Sequence, residues 1–226
     1  LKTVMFADDS NLLIRGKNIN SVCTALNTEL EQIDDFFKAN KLKLNTKKTK
    51  LVCFRKKSQK LDENSVNIFL DGDRLDLSEE ASFLGVTMDC HLLWDKHCIK
   101  VANTISRNNG IINRIKKRLP PTSLKILYSS LVLPHLQYGL AAWGGCSNQS
   151  KKRIINIQKR AIRTISKSYI ISHTEPRMKQ MGILRLDELY SQQCATLVHD
   201  IIKNRAPSAL CNFVTLETES NARNLR

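Results

Sequence analysis

Apolar and polar residues alternate in the first part of the chain, as they do in β-strands. Residues 3–14 form two such alternating segments around a short polar stretch, and this arrangement predicts a β-hairpin. Residues 21–39 differ, because their apolar positions recur every three or four residues, which predicts an amphipathic helix. Its apolar face consists of Val22, Leu26, Leu30, Ile33 and Phe37. We expect Asn20 or Ser21 to cap its start and Asn40 its end.

Three further segments extend this pattern towards residue 90. Residues 41–54 predict a strand that is entered through a basic turn, and residues 66–77 predict a hairpin around an Asp-Gly pair. Residues 82–89 predict one more strand. Strands that accompany a single amphipathic helix indicate an α+β unit over residues 1–90.

Helical spacing replaces this alternation in residues 91–226. Apolar stripes predict four helices, over residues 94–119, 122–134, 149–166 and 186–204. Pro134 is expected to break or kink the second of them, because proline lacks the amide hydrogen that a helix interior uses. This half of the chain therefore predicts a helical bundle.

The charge distribution indicates a partner that carries phosphates. The chain has 226 residues, of which 42% are hydrophobic, and its 36 Lys and Arg residues outnumber 21 Asp and Glu residues for a net charge of +15. Residues 41–60 and 96–174 contain many basic residues and no carboxylate. Basic residues spread over many segments suit nucleic acid better than a membrane surface, which usually binds one amphipathic helix.

The cysteines indicate free thiols in a reducing, intracellular environment. There are seven of them, an odd number, and they are widely spaced without a CxxC pair. Cys90, His91, His97 and Cys98 together offer zinc-ligand chemistry, but their spacing lacks the usual short loops between ligand pairs. Packing around a helix start is the alternative interpretation.

A long uncharged segment over residues 126–150 raises the question of a membrane span. Pro134 and His135 interrupt it, and its continuous apolar runs are far shorter than the ~20 residues that a spanning helix needs. We interpret this segment as two buried helical pieces.

Asp8 and Asp9 are adjacent carboxylates between two apolar segments. An exposed hairpin turn tolerates such a pair, since Asp is a common turn residue. A magnesium site is the other interpretation, because Mg²⁺ prefers oxygen ligands and often takes one or two carboxylates. Adjacent strand residues point to opposite faces, so only a tight turn could direct both carboxylates to one site.

Five segments resemble, in their order, elements of non-LTR (LINE-type) retrotransposon reverse transcriptases. The sequence FADD at residues 6–9 resembles the metal-binding motif of the polymerase palm. The others are the Asn-x-x-Lys-Thr element within residues 42–54, the Leu-Gly-Val turn within 83–97, and the thumb and connection segments at 127–144 and 154–166. The resemblance extends over nearly the whole chain to about residue 200.

This resemblance implies a part of an RNA-directed DNA polymerase. The implied fold is a partial right-hand palm over residues 1–90, with strands and one packed helix, followed by a basic helical thumb and connection region over residues 91–226. By resemblance, Asp8 and Asp9 are catalytic residues that bind Mg²⁺ or Mn²⁺, with two ions in the full-length enzyme. No small-molecule cofactor and no membrane are expected.

The resemblance also implies roles for residues outside the Asp pair. Lys48 and Asn45 match the element near the incoming nucleotide, and Gly85 matches a backbone bend where the primer end is held. The expected contacts to the nucleic-acid backbone are Lys152, Arg153, Lys159, Arg160 and Arg163. The implied partners are an RNA template, a DNA primer and deoxynucleoside triphosphates.

Activity of the isolated chain is not expected. The palm of this family needs another catalytic Asp on a strand upstream of FADD, and these residues do not include it. The alternative to a polymerase fragment is a truncated remnant that at most binds nucleic acid.

Overall fold

The computed structural model describes residues 1–7, 9–168 and 173–212. The chain forms two compact units, which divide between Leu92 and Leu93. Short antiparallel strands and one long helix make up the first unit, and the described part of the second is helical. The fold is therefore of the α+β class, as the sequence predicts. The assignment of the first unit to a polymerase palm and of the second unit to a thumb and connection region remains a prediction.

Three antiparallel strand pairs and one long helix form the described part of the first unit. The strands are β1 (Lys2–Phe6) with β2 (Asp9–Leu13), β3 (Phe69–Leu70) with β4 (Asp73–Arg74), and β5 (Glu80–Phe83) with β6 (Val86–Asp89). The helix is α1 (Ile19–Ala39), and a 3-10 turn covers Glu63–Ser65.

The core of the first unit lies between α1 and the segment that leads into β3. Every second residue of this segment is buried, as expected for an extended chain with one face on a core. The buried residues are Cys23, Leu26 and Leu30 from α1, and Val66, Ile68, Leu70 and Leu75 from the strand region. Leu26 and Leu30 of the predicted apolar face are therefore in the core together with Cys23, while Val22, Ile33 and Phe37 are half-buried.

The caps of α1 match the prediction at one end only. The helix begins at Ile19, and the Asn18 side chain accepts a hydrogen bond from the Asn20 backbone N–H at 2.9 Å. The predicted cap at Asn20 or Ser21 is therefore wrong, because the helix extends one turn further towards the N-terminus than its apolar stripe. Asn40 ends the helix as predicted.

Two of the predicted strands have a different structure. Residues 41–54 do not form a paired strand; they form a turn at residues 46–48 and one parallel bridge from Leu51 to Leu77. Residues 82–89 belong to the hairpin of β5 and β6 rather than to one strand. Leu84 (φ 47°) and Gly85 (φ 79°) both adopt left-handed backbone conformations, which is the geometry of a two-residue hairpin turn.

The described part of the second unit contains eight helices. They are α2 (Asp95–Ile115), α3 (Pro121–Leu131), α4 (Leu133–Gln137), α5 (Leu140–Trp143), α6 (Asn148–Ile165), α7 (Glu175–Met181), α8 (Leu186–Ile202) and α9 (Ser208–Cys211). The largest side chains of its core are Trp143, Tyr128, Ile105, Ile154 and Ile162, all of them fully buried. Helices α2 and α6 pack against each other along this core.

The four predicted helices are present, with one correction to the second. The helix is interrupted at Val132, which separates α3 from α4. Pro134 lies in the first turn of α4. Proline is tolerated there because a first-turn amide has no helical partner. Within the described residues, no helix is both long enough and apolar enough to cross a membrane.

Candidate catalytic hairpin and nucleic-acid interface

The FADD residues Phe6, Ala7 and Asp9 lie at the tip of the β1–β2 hairpin. Phe6 ends β1 and pairs directly with Asp9, which begins β2. Ala7 adopts a left-handed conformation (φ 51°), which a tight turn requires and which residues other than glycine seldom adopt. Asp8 lies outside the described residues. The hairpin explains how the Asp9 carboxylate can interrupt a pattern that is strand-like on both sides.

Asp9 is exposed to solvent at this tip. Its carboxylate has no hydrogen bond or ion pair with another residue in the part of the chain that the structure describes. The neighbouring side chains are exposed as well, with Met5 at 69% and Phe6 at 61%. The Asp9 carboxylate is therefore open to a ligand from outside the hairpin.

The described residues do not assemble a metal site by themselves. Among them, no group of three or more His, Cys, Asp or Glu side chains is placed to hold a metal ion. This finding also applies to Cys90, His91, His97 and Cys98, which the zinc interpretation groups together. His91 Nδ1 lies 3.0 Å from the Arg55 carbonyl oxygen, and the His97 ring packs edge-on against Trp143 with centroids 5.4 Å apart.

The Asn-x-x-Lys-Thr element forms a capped turn. The Asn45 carbonyl accepts the backbone N–H of Lys48 at 3.0 Å and that of Thr49 at 3.1 Å, while Asn45 Oδ1 also accepts the Lys48 N–H. Thr49 Oγ1 donates to the same Asn45 carbonyl. Asn45 therefore shapes the turn that carries Lys48, and the Lys48 side chain is exposed. Contact of Lys48 and Asn45 with a nucleotide remains a prediction.

This turn is fixed to the β3–β4 hairpin by a side-chain contact. Thr46 Oγ1 donates a hydrogen bond of 3.2 Å to Asp73 Oδ2. Gly85, at the turn of the β5–β6 hairpin, is exposed and has a positive φ. The bend predicted at Gly85 is thus present, and its role in holding a primer remains a prediction.

Helix α6 carries the five predicted backbone-binding residues on one face. With 3.6 residues per turn, Lys152, Arg153, Lys159, Arg160 and Arg163 fall within an arc of about 120°. The opposite face is buried and consists of Ile154, Gln158, Ala161, Ile162 and Ile165. We call the five basic residues the α6 basic face.

Several members of the α6 basic face have uncompensated charge. The side chains of Lys152, Arg153, Lys159 and Arg160 have no acidic partner among the described residues. Lys151 is separate from this face, because its Nζ lies 5.5 Å from the centre of the Tyr190 ring. A helix with one apolar and one basic face can pack on a core while it contacts a polyanion.

One cleft in the first unit is lined by acidic residues, in contrast to the α6 basic face. It has a volume of about 260 Å³, and Glu31, Asp34 and Asp71 contribute to its lining. Lys38 Nζ bonds to Asp34 at 2.6 Å and to Asp71 at 3.0 Å, and these contacts raise the pKa of the lysine. Carboxylates repel phosphates, so this cleft does not suit a nucleotide.

Sequence comparison gives the class of protein that this chain is similar to: RNA-directed DNA polymerases of non-LTR transposable elements. Two such curated relatives come from Drosophila melanogaster. A probable RNA-directed DNA polymerase from transposon BS is 28% identical over 165 residues, and the RNA-directed DNA polymerase from mobile element jockey is 23% identical over 165 residues. These similarities confirm the resemblance found in the motifs.

The matches cover 71% of this chain and 18% of the length of each relative. No family model matches the chain, and no solved structure matches it.

Proposed function

We propose that this chain is a segment of an RNA-directed DNA polymerase and that its α6 basic face holds the phosphate backbone of the template and primer. The observation that carries this proposal is the alignment of five basic residues opposite the buried face of α6. Such a surface binds phosphates without reading sequence, because its lysines and arginines contact the backbone rather than the base edges. The similarity to two RNA-directed DNA polymerases supports the part of the proposal that concerns the class of enzyme.

We assign the β1–β2 hairpin to the catalytic centre of the whole polymerase. Asp8 and Asp9 would contribute carboxylates to the binding of Mg²⁺ or Mn²⁺, together with ligands that the described residues do not supply. When bound, two such ions activate the primer 3′-hydroxyl and stabilise the leaving oxygen. Lys48 is placed on an exposed, capped turn and would contact the phosphates of the incoming nucleotide, while Gly85 permits the bend near the primer end.

Nucleic-acid binding tests the first part of this proposal. The 226-residue chain is titrated against a fluorescent RNA–DNA duplex over a series of salt concentrations, and anisotropy reports the affinity. The variant Lys152→Gln/Lys159→Gln/Arg160→Gln should bind more weakly, and its salt slope should be smaller by about one for each lost contact.

A matched variant tests whether the α6 basic face, rather than net charge, is responsible. Arg114→Gln/Lys117→Gln/Arg118→Gln removes the same number of charges from exposed positions at and after the end of α2. We expect it to change the salt slope less than the α6 variant does. Equal losses in the two variants would contradict the assignment to α6.

Primer extension tests the catalytic assignment. In a polymerase that contains this chain, Asp9→Asn should abolish DNA synthesis on an RNA template with Mg²⁺, while Ser10→Ala beside it should retain synthesis. Full activity of Asp9→Asn would contradict the assignment. Duplex binding without synthesis in the unmodified polymerase would instead favour the alternative of a remnant that only binds nucleic acid.

A further inference from the structure

Three contacts hold the first turn of α2 against the segments around the start of α6. Asp95 Oδ1 accepts hydrogen bonds from Ser147 Oγ at 3.0 Å and from Ser150 Oγ at 2.5 Å. The His97 ring packs against the Trp143 ring at a centroid distance of 5.4 Å. Asp95 and His97 belong to α2, and the other three residues lie in α5, at the cap of α6 and within α6.

Two cysteines lie next to the residues that make these contacts. Cys98 follows Asp95 by three positions on α2, and Cys146 directly precedes Ser147. Their thiols form a hydrogen bond with each other. Cys98 is completely buried and Cys146 is 5% exposed, and both are free thiols. The pair is therefore held in contact by its surroundings and is accessible from solvent only through Cys146.

The hydrogen bond between the two thiols and the local charges favour the thiolate of Cys146 over that of Cys98. The hydrogen bond from the Cys98 thiol lowers the pKa of Cys146 below its ordinary value, and the nearby Lys151 ammonium also favours the thiolate. The same hydrogen bond, with burial, raises the pKa of Cys98. These interactions favour the thiolate of Cys146, which is the form that reacts with oxidants.

We propose that Cys146 and Cys98 form a peroxide-reactive thiol pair that closes a reversible disulfide between α2 and the start of α6. The Cys146 thiolate attacks one oxygen of a hydroperoxide; an S–O bond forms, the O–O bond breaks, and hydroxide or alkoxide leaves. The Cys98 sulfur then attacks the Cys146 sulfur; the S–S bond forms, the S–O bond breaks, and the Cys98 proton leaves with the hydroxyl as water. For hydrogen peroxide, two thiols are oxidised and the peroxide is reduced to two waters.

A peptide map of the oxidised protein tests this pair directly. The reduced 226-residue chain is treated with hydrogen peroxide under native conditions, remaining thiols are alkylated, and the protein is digested without reduction for mass spectrometry. We expect a peptide linked through Cys98 and Cys146 that dithiothreitol separates, while Cys53 remains available for alkylation. Alkylated Cys146 after oxidation, or a disulfide mainly between other cysteines, would overturn the proposal.

Single substitutions separate the two steps. In Cys98→Ser the second step is blocked, so Cys146 should accumulate as a sulfenic acid that dimedone labels. In Cys146→Ser the buried Cys98 should stay reduced. Labelling of Cys98 by dimedone in Cys146→Ser, or an unlabelled Cys146 in Cys98→Ser, would contradict the assigned order of attack.

The unmodified chain gives a test that does not depend on how the variants fold. The rate of alkylation of Cys146 by iodoacetamide, followed by mass spectrometry, should rise with pH around a midpoint below that of an ordinary free thiol. Substitution Lys151→Gln should raise this midpoint. A midpoint at the value usual for a free cysteine, about 8.5, would contradict the role given to Cys146.

Discussion

Gln158 is a buried amide on the apolar face of α6, and its side chain joins three parts of the second unit. Its Nε2 donates hydrogen bonds to Tyr128 Oη at 3.1 Å and to the Leu184 carbonyl at 2.9 Å, and its Oε1 accepts the Leu186 N–H at 3.1 Å. At the scale of single residues, this amide fixes the start of α8 against α3 and α6.

Substitution Gln158→Leu should lower the free energy of unfolding by at least about 2 kcal/mol, because it leaves buried polar groups without partners. Urea unfolding followed by circular dichroism measures the change as a lower midpoint with an unchanged slope. Gln149→Leu, at an exposed position of the same helix, serves as the control. A change of less than about 0.5 kcal/mol in Gln158→Leu would contradict the role of the amide.

The pH dependence of stability should depend on His97. Burial, and then the charge of Lys100, lowers the pKa of His97 from its ordinary value of 6.5. The unfolded chain therefore binds this proton more readily than the folded chain does. The contribution of neutral His97 to the free energy of unfolding is fully present above about pH 6.5, and it decreases as the pH falls towards the pKa of His97 in the folded chain.

Thermal melts between about pH 7.5 and pH 5 measure this dependence. The unmodified chain should lose more stability over that range than His97→Phe, which keeps an aromatic ring against Trp143 but cannot bind a proton. Equal slopes in the unmodified chain and His97→Phe would contradict the prediction.

Single-residue features differ in how far the sequence predicts them. The α6 basic face follows from helical periodicity alone, because residues seven or eight apart share a face whatever surrounds the helix. Asp9 could be placed at a hairpin tip for a similar reason, since strand alternation on both sides is local. The contact of Cys98 with Cys146 has no local signal, because it depends on how α2 packs near α6.

At the scale of elements, two glycines show opposite effects of the same substitution. Gly110 lies inside α2, and a Cβ atom there would meet nothing within 4 Å. Gly110→Ala should raise the free energy of unfolding by about 0.5–1 kcal/mol, since alanine loses less backbone entropy in a helix. Differential scanning calorimetry should show a higher Tm, and a lower Tm would contradict this reading of α2.

Gly144, between α5 and α6, has no such space. A Cβ atom there would lie 2.2 Å from Tyr190 Cδ2 and 2.6 Å from the Leu140 carbonyl oxygen. Gly144→Ala should therefore lower the free energy of unfolding by about 1–3 kcal/mol. Gly145→Ala is the control, because its nearest neighbour would be Tyr190 Oη at 3.6 Å. Similar Tm values for the two variants would show that Tyr190 can move aside.

The elements that the sequence predicts well are the long ones. Helices α1, α2, α6 and α8 each repeat their apolar spacing over several turns, so the pattern is clear without knowledge of partners. The alternation predicts one strand where the β5–β6 hairpin lies, because a Leu-Gly turn interrupts the alternation for only two residues. The strand predicted in residues 41–54 is reduced to one bridge, from Leu51 to Leu77, because alternation along the chain does not specify a pairing partner.

At the scale of the whole molecule, the net charge of +15 makes affinity for nucleic acid depend on ionic strength. If six to ten phosphates are contacted, the affinity of the chain for duplex should fall by roughly 10³–10⁵ between about 50 and 200 mM salt, because bound counterions are released on association. Fluorescence anisotropy at each salt concentration measures the slope. A flat slope would show that the acid-free stretches do not contact phosphates.

The packing of α2 against α6 also affects how the chain folds while it is synthesised. Residues 116–147 separate the two helices, so the apolar face of α2 leaves the ribosome well before α6 can cover it. At about 5–20 residues per second, translation from the end of α2 to the end of α6 takes roughly 3–10 seconds. During that interval the part of α2 that packs against α6 in the finished protein lacks this cover and can be contacted by chaperones and by neighbouring nascent chains.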